Sequence, residues 1–311
     1  MKEMPVLVIG FNRPDLLRNL LNRLKQIGIF ELYVSLDGSG VGNDLLACEE
    51  CTDVVMNFRD SFNLHFIRRD YNLGCTLGVI SAIDWFFENV QFGAILEDDC
   101  FPIDGFFEFI KDFEINKKIM DQQQINLITG HNPFDIRINR PESRAVLVHG
   151  WATHSDTWKK IRLGYFSLGL PTFLNKNFES RPIKETIFWW ANSTRAKLGI
   201  VDTWDGMLNE RVWKLGFKTL IPSKNLIINY GFGSRATHTK DPSGSNLVNL
   251  TDEIVSKNCL DELLANYYFG IKNRHIVSAI IRISLDFFRF NKRKKFDKIL
   301  AHDRIYRDTI R

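Results

Sequence analysis

Between Val6 and Leu96, short apolar runs alternate with stretches of helical periodicity, and that alternation leaves few folds open. Val6–Gly10 reads as a buried strand. Pro14 suits a first helical turn, and Leu16, Leu17, Leu20, Leu21 and Leu24 then share one face. Leu32–Leu36 is a second strand ending at the loop Asp37-Gly38-Ser39-Gly40, and a helix over roughly 44–60 leads to a third, Leu64–Arg68. Asn72-Leu73-Gly74 turns into a helix running to about Glu88, and Gly93–Leu96 is the fourth strand. Such spacing means βαβ units, hence an α/β fold with a mostly parallel sheet flanked by helices. Ligands in such sheets bind beyond the carboxyl ends of the strands. Phe11-Asn12-Arg13, Asp37 and Glu97–Asp99 all fall at such ends.

The second half is less regular. Ile125–Thr129 and Ala145–Val148 read as strands, with Gly150-Trp151-Ala152-Thr153 as the loop after the latter. Thr186–Leu198 reads as a helix, as does 205–215, which Gly216 ends. Strands near 218–221 and 225–229 precede a polar loop, Gly231–Ser245.

At the tip of the fourth strand, three carboxylates stand in a row, Glu97-Asp98-Asp99. Adjacent acids repel, and a buried carboxylate without a partner costs several kcal/mol, so a compensating cation is expected. Oxygen ligands select a hard divalent ion, Mg²⁺ or Mn²⁺, which shares its shell with water and substrate phosphates. The plainer alternative is an acidic surface turn, and the buried strand before the trio speaks against it.

With 311 residues, 44% hydrophobic and 25% charged, the chain has the composition of a globular protein able to bury a full core. Met1 leads at once into a strand pattern, so no signal peptide is expected, and no run of about 18 apolar residues offers a membrane span. Five cysteines without an export signal read as free thiols, as in the cytoplasm. Cys48 and Cys51 have C-x-x-C spacing but no second pair for zinc, and read as incidental helix neighbours.

Six stretches occur in one order over about residues 4–245: Val6–Pro14, Asn72-Leu73-Gly74, Leu96–Cys100, Gly150–Thr153, Asp202-Thr203-Trp204-Asp205, and Gly231-Phe232-Gly233 with Ala236–Thr239. The set resembles a bacterial GT-A-fold glycosyltransferase of the family 2 type and, more distantly, N-acetylglucosaminyltransferase I, whose metal motif is also Glu-Asp-Asp. The resemblance implies a single GT-A domain over 1–245 and a metal-dependent, inverting transfer. One sugar would pass from a nucleoside-diphosphate donor, UDP-linked, to a cell-surface glycan or lipid-linked glycan precursor such as lipopolysaccharide or capsule.

On that resemblance Asp99 would ligate the metal bridging the donor's phosphates. Asp98 would contact ribose or metal, and Glu97 the sugar hydroxyls. Asp37 would accept the imide N–H of uracil. Phe11, Asn12, Arg13, Arg69, Asn72, Gly74 and Gly150 would line the donor, with Arg13 and Arg69 facing pyrophosphate, and Trp151 would stack on the sugar or belong to the core. His238 would be a late metal ligand or phosphate contact, or neither. An attacking hydroxyl needs a carboxylate to take its proton. Asp205, at the start of a helix whose dipole keeps it ionised, is the preferred base and Asp202 its rival; an N-cap is the structural reading of either. Trp204 stands where related inverting enzymes carry a glutamate. Two other readings stay open: a nucleotidyltransferase that makes the nucleotide sugar, although the loop after the first strand is short with one glycine, and a non-catalytic glycan- or nucleotide-binding protein on the same scaffold.

Residues 246–311 read as a helical extension. Within it, 275–311 hold ten Lys/Arg against four Asp/Glu, while the rest of the chain is slightly acidic. The apolar stretch His275–Phe290 followed by Asn291-Lys292-Arg293-Lys294-Lys295 fits either a helix packed on the domain or an anchor on the anionic inner face of the membrane. Nucleic acid is not expected as a partner, since the basic run lacks interleaved stacking aromatics.

Overall fold

The computed structural model describes residues 4–40, 44–133, 142–168, 183–231, 297–299 and 301–303. His238, the boundary near 245 and the basic run 292–295 lie outside them.

The first four strands form where the apolar pattern places them: β1 Val6–Gly10, β2 Glu31–Leu36, β3 Asn63–Arg68 and β4 Phe92–Glu97. The helices between are α1 Pro14–Ile27, α2 Asp44–Asn57 and α3 Gly74–Asn89. β1 pairs in parallel with β2 on one side and β4 on the other, and β2 with β3. The chain therefore runs outward from β1 to β3 and then crosses back to β4. The β1/β4 boundary is the switch point at which such sheets open a crevice.

The remaining described elements are β5 Cys100–Pro102, α4 Phe106–Ile115, α5 Lys117–Gln122, β6 Ile125–Thr129, β7 Glu142–Ser143, β8 Trp151–His154, α6 Ser155–Arg162, α7 Ile183–Lys197, α8 Asp205–Lys214, β9 Lys218–Leu220 and β10 Ile227–Asn229. The main sheet has the order β3-β2-β1-β4-β8-β6-β9-β7, with β8 antiparallel to both its neighbours, and β10 pairs with β5 in a small separate ribbon. No described helix is long and apolar enough to cross a membrane.

Alternating side chains of the strands feed two cores. Val6, Val8, Ala94 and Leu96 pack with α1, α2 and α4 on one face; Leu7, Ile9 and Ile95 pack with α3, α6 and α8 on the other. The two layers of helix cover the faces of β1, β2 and β4, and a cavity opens at their carboxyl ends.

Two expectations from the sequence are corrected here. Ala145–Val148 is not a strand. Ala145, Val146 and Leu147 are buried, but their main-chain groups are satisfied by side chains: Asn209 accepts from the Val146 N–H at 2.9 Å and donates back to its carbonyl at 3.2 Å, and Thr129 donates to the Leu147 carbonyl at 2.7 Å. Gly150–Thr153 is not a loop around a ligand. Gly150 turns with φ 65°, and Trp151 then enters β8 between β4 and β6. Trp151 is 1% exposed and packs on Trp158 and Trp204, so it is a core residue and cannot stack on a sugar.

The described part of the C-terminal segment lies against the body. Ile299 is fully buried and belongs to the core cluster that also holds α3 and α6 side chains. Arg162 on α6, itself 0% exposed, donates to Asp84 of α3 at 2.9 Å and to Asp303 at 2.8 Å. His302 accepts from the same guanidinium at 3.1 Å through Nδ1.

Candidate donor-type cavity at the carboxyl edge

The site is built by extending the sheet's own hydrogen bonding past the strand ends. The Asp37 N–H donates to Gly10 O at 3.1 Å, the Arg69 N–H to Leu36 O at 3.0 Å and the Asp98 N–H to Ile9 O at 2.9 Å. Each of these residues is the first beyond its strand, which fixes its side chain over the switch point.

A cavity of about 380 Å³ opens there. Phe11 and Arg13 line it from the β1–α1 turn, Asp37 and Arg69 from the ends of β2 and β3, Asn72 and Gly74 from the entry to α3, and Glu97, Asp98 and Asp99 from the end of β4. Asp202 reaches it from the second half of the chain. Three other residues of the expected donor set are placed elsewhere. Asn12 donates to Asp44 at 2.8 Å and is absent from the cavity wall. Gly150 packs under Ile227 and Leu96, and Trp151 is in the core.

The acid trio is compensated first by a protein cation. Arg13 grips both oxygens of Asp98 through Nε and Nη2, and donates through Nη1 to Asp99 Oδ2 at 2.8 Å. Asp98 is 3% exposed and also accepts the Phe11 N–H. One guanidinium does not balance three acids. Burial, then the neighbouring Asp99 and Asp98, push the Glu97 carboxyl up to about 8; burial also pushes Asp98 up to about 7, with Arg13 pulling the other way. The site therefore has room for further positive charge. The trio is not a preformed three-ligand cage, and no group of three His, Cys, Asp or Glu among the described residues is arranged to hold a metal. An ion there would have to share its shell with oxygens from outside the trio, and Asp99, whose Oδ1 meets only the Cys100 thiol at 3.4 Å among the described residues, is the carboxylate open to it.

The opposite wall is the N-terminus of α3. Asp37 accepts N–H bonds from Gly38, Leu73 and Gly74 at 2.9–3.0 Å, so most of its lone pairs are spent on main chain. Burial raises its pKa, and those amides hold the rise back. Asp202 accepts the Thr76 N–H at 2.9 Å, and the Thr76 hydroxyl donates to Thr203 O at 3.1 Å. Asp202 is thus a cap for α3 from outside its own sequence neighbourhood. Gly74 has φ 78°, and a Cβ there would run into the Asp202 carboxylate. Arg69 donates to Ser81 at 3.2 Å through Nη2, while its Nε has no partner among the described residues.

Asp205 is the first residue of α8 and accepts from the Thr203 hydroxyl. It does not line the cavity, yet its charge reaches Glu97 and His149.

Wall residues that escaped the sequence reading include Cys75, His149 and Asn229, and Gly231 was read only as part of a motif and not as a site residue. His149 stands beside the Gly150-Trp151 stretch, and a histidine next to a motif was a usable signal. Burial holds its pKa down, against the pull of Asp99 and Asp205. Asn229 could not have been found, because only the pairing of β10 with β5 brings it opposite Cys100. Its Oδ1 accepts the Gly231 N–H at 2.6 Å, and a Cβ on Gly231 would strike Asp99.

No protein-family model and no curated protein sequence matches the chain. Among solved structures it is similar to the galactosyltransferase LgtC in complex with donor and acceptor sugar analogues, at 12% identity and TM-score 0.38, over 82% of this chain and 87% of that one. Mouse xyloside xylosyltransferase 1 is similar at 7% identity and TM-score 0.37, over 71% and 85%. A putative glucose-1-phosphate thymidylyltransferase from Bacillus anthracis, in complex with a sucrose, is similar at 11% identity and TM-score 0.32, over 68% and 95%. Likenesses this remote carry no argument about activity, and the α/β fold rests on its own strand order.

Proposed function

We propose that the chain is a GT-A-type glycosyltransferase that takes a sugar from a nucleoside diphosphate, UDP by preference, and passes it with inversion to a hydroxyl of a cell-surface glycan precursor. The observation that carries this reading is the convergence, on one cavity at the sheet's switch point, of an under-compensated acid trio with Arg13, Arg69 and the polar entry to α3. A leaving diphosphate develops negative charge, and a site that binds it must offer cations without supplying a proton. Mn²⁺ or Mg²⁺, when bound, would neutralise that charge. Asp99 is the residue to hold it, Arg13 and Arg69 face the phosphates, and Glu97 takes the sugar hydroxyls.

Asp205 is proposed as the base rather than Asp202. Asp202 is committed to the Thr76 amide, whereas among the described residues the Asp205 carboxylate accepts only from the Thr203 hydroxyl, at the start of α8. The proposal places the chain in the cytoplasm; contact of 275–295 with an anionic inner membrane surface belongs to it as an extension, checked by co-sedimentation with anionic against neutral vesicles.

The test is a thermal-shift screen of nucleotide sugars with and without Mn²⁺, followed by detection of UDP release. A ligand bound only by the folded state raises the melting temperature. No shift with any nucleotide sugar in the presence of Mn²⁺ defeats the reading. Binding without UDP release in the presence of glycan acceptors turns it into the non-catalytic alternative.

A further inference from the structure

We infer that the protein carries a second binding site, for an uncharged sugar unit, on the outer face of α1. A cavity of about 350 Å³ lies there, separate from the first but sharing one wall with it, the side chain of Asp98. Its floor is α1, where the spacing of Leu16, Asn19, Arg23 and Gln26 puts those side chains on one face, with Asn22 at its margin. Its far side is aromatic. Tyr230, which follows β10, is 54% exposed and meets Phe101 of β5 edge-on at 6.0 Å.

Two features decide the class of ligand. The first is the state of the amides. Asn19, Asn22 and Gln26 make no hydrogen bond among the described residues, so each brings both a donor and an acceptor to the cavity. A pair of neighbouring hydroxyls, each able to donate and accept, is matched by such amides, and an exposed aromatic ring covers the apolar C–H face of a pyranose.

The second is charge. Among the described residues, two charged residues line this cavity, Arg23 and Asp98, and both are already paired. Arg23 donates to Pro102 O at 2.9 Å and to Asp104, and its guanidinium lies 5.9 Å from the centre of the Phe101 ring. Asp98 is held by Arg13. Among the described residues an anionic ligand meets no free cation here and a cationic one no free anion, and the amides and the ring together favour a neutral polyol. The site does not depend on the first cavity binding a nucleotide.

The experiment follows the side-chain amide resonances of Asn19, Asn22 and Gln26 in the isotope-labelled full chain. The probes are methyl glucoside, methyl galactoside and N-acetylglucosamine, with inorganic phosphate as the charged control. At least one sugar is expected to move these resonances saturably while phosphate leaves them in place. Tyr230→Ala should weaken that binding by roughly fivefold or more, and the Asn19→Ala/Asn22→Ala pair should remove it; these side chains are exposed, so the fold is retained. Silence with all three sugars overturns the inference, as does binding that survives both variants or an equal response to phosphate. The Gly74 main-chain amide, read with UDP in the same samples, reports the first cavity. Loss of the UDP response alone would sink the proposed activity and leave this site standing.

Discussion

Asp202 accepts the main-chain N–H of Thr76 at 2.9 Å, so a residue from the second half of the chain closes the helix that walls the cavity. Replacing Asp202 by Ala orphans that buried amide. A loss of about 1 kcal/mol is expected, read as a lower urea midpoint, together with weaker nucleotide binding because Gly74 and Asn72 loosen. Asp205→Asn should do the opposite: transfer is abolished while donor affinity by calorimetry is largely kept. Loss of nucleotide affinity in Asp205→Asn would move Asp205 from base to donor contact.

Gly74 is the tightest point of the same wall. Its φ of 78° disfavours any side chain, and the Cβ of Ala would press on Asp202. Gly74→Ala should destabilise by on the order of 1–2 kcal/mol and reduce UDP affinity at the same time. Retained affinity in a destabilised variant would show that the α3 entry does not contact the ligand.

Arg13 is the sole guanidinium that the described structure places on both Asp98 and Asp99. Arg13→Gln leaves Asp98 buried without its partner, and breaking such a pair costs about 3–5 kcal/mol. Because Asp98 can take up a proton instead, the loss should be larger at pH 8 than at pH 6. Equal losses at both values, measured by chemical denaturation, would mean that Asp98 does not carry the cost.

The trio's raised carboxyls give a calorimetric signature. Glu97 at about 8 and Asp98 at about 7 hold protons near neutrality, and a cation beside them favours the charged forms. Binding UDP with Mn²⁺ at pH 7 should release protons, seen as a heat that varies with the ionisation enthalpy of the buffer. A buffer-independent heat would place the ion, if any, away from these acids.

His302 makes stability depend on pH. Burial, and then the Arg162 charge, lower its pKa from 6.5 to about 4. The unfolded chain therefore binds more protons between those values, so stability should rise with pH from about 4 to 6.5 and level off above. The gain is on the order of 3 kcal/mol, and His302→Gln should flatten it. An unchanged slope in that variant would separate the C-terminal contact from acid sensitivity.

The first hundred residues were legible because periodicity records burial, and burial in a parallel sheet is nearly all that distinguishes its strands. The positions of β1 to β4, and the gathering of Arg13, Asp37, Arg69 and Glu97–Asp99 at their carboxyl ends, follow from that. The same rule failed at Ala145–Val148. Its apolar run is buried as expected, but its polar main-chain partners are Asn209 and Thr129, which no local pattern points to. Trp151 failed for a related reason: a loop aromatic and a core aromatic look alike until the neighbouring strands are known.

What the sequence alone determined is therefore the sheet, its open edge and the chemical character of the residues on it. Tertiary structure alone decided who partners whom: Arg13 with acids 85 and 86 positions away, Asp202 with Thr76 across 126, and Asn229 beside Asp99 through a two-strand ribbon. The physical reason is that hydrophobic pattern is written in short-range spacing, whereas the pairing of a buried charge or amide is settled by whichever distant group the closed core brings within hydrogen-bond reach.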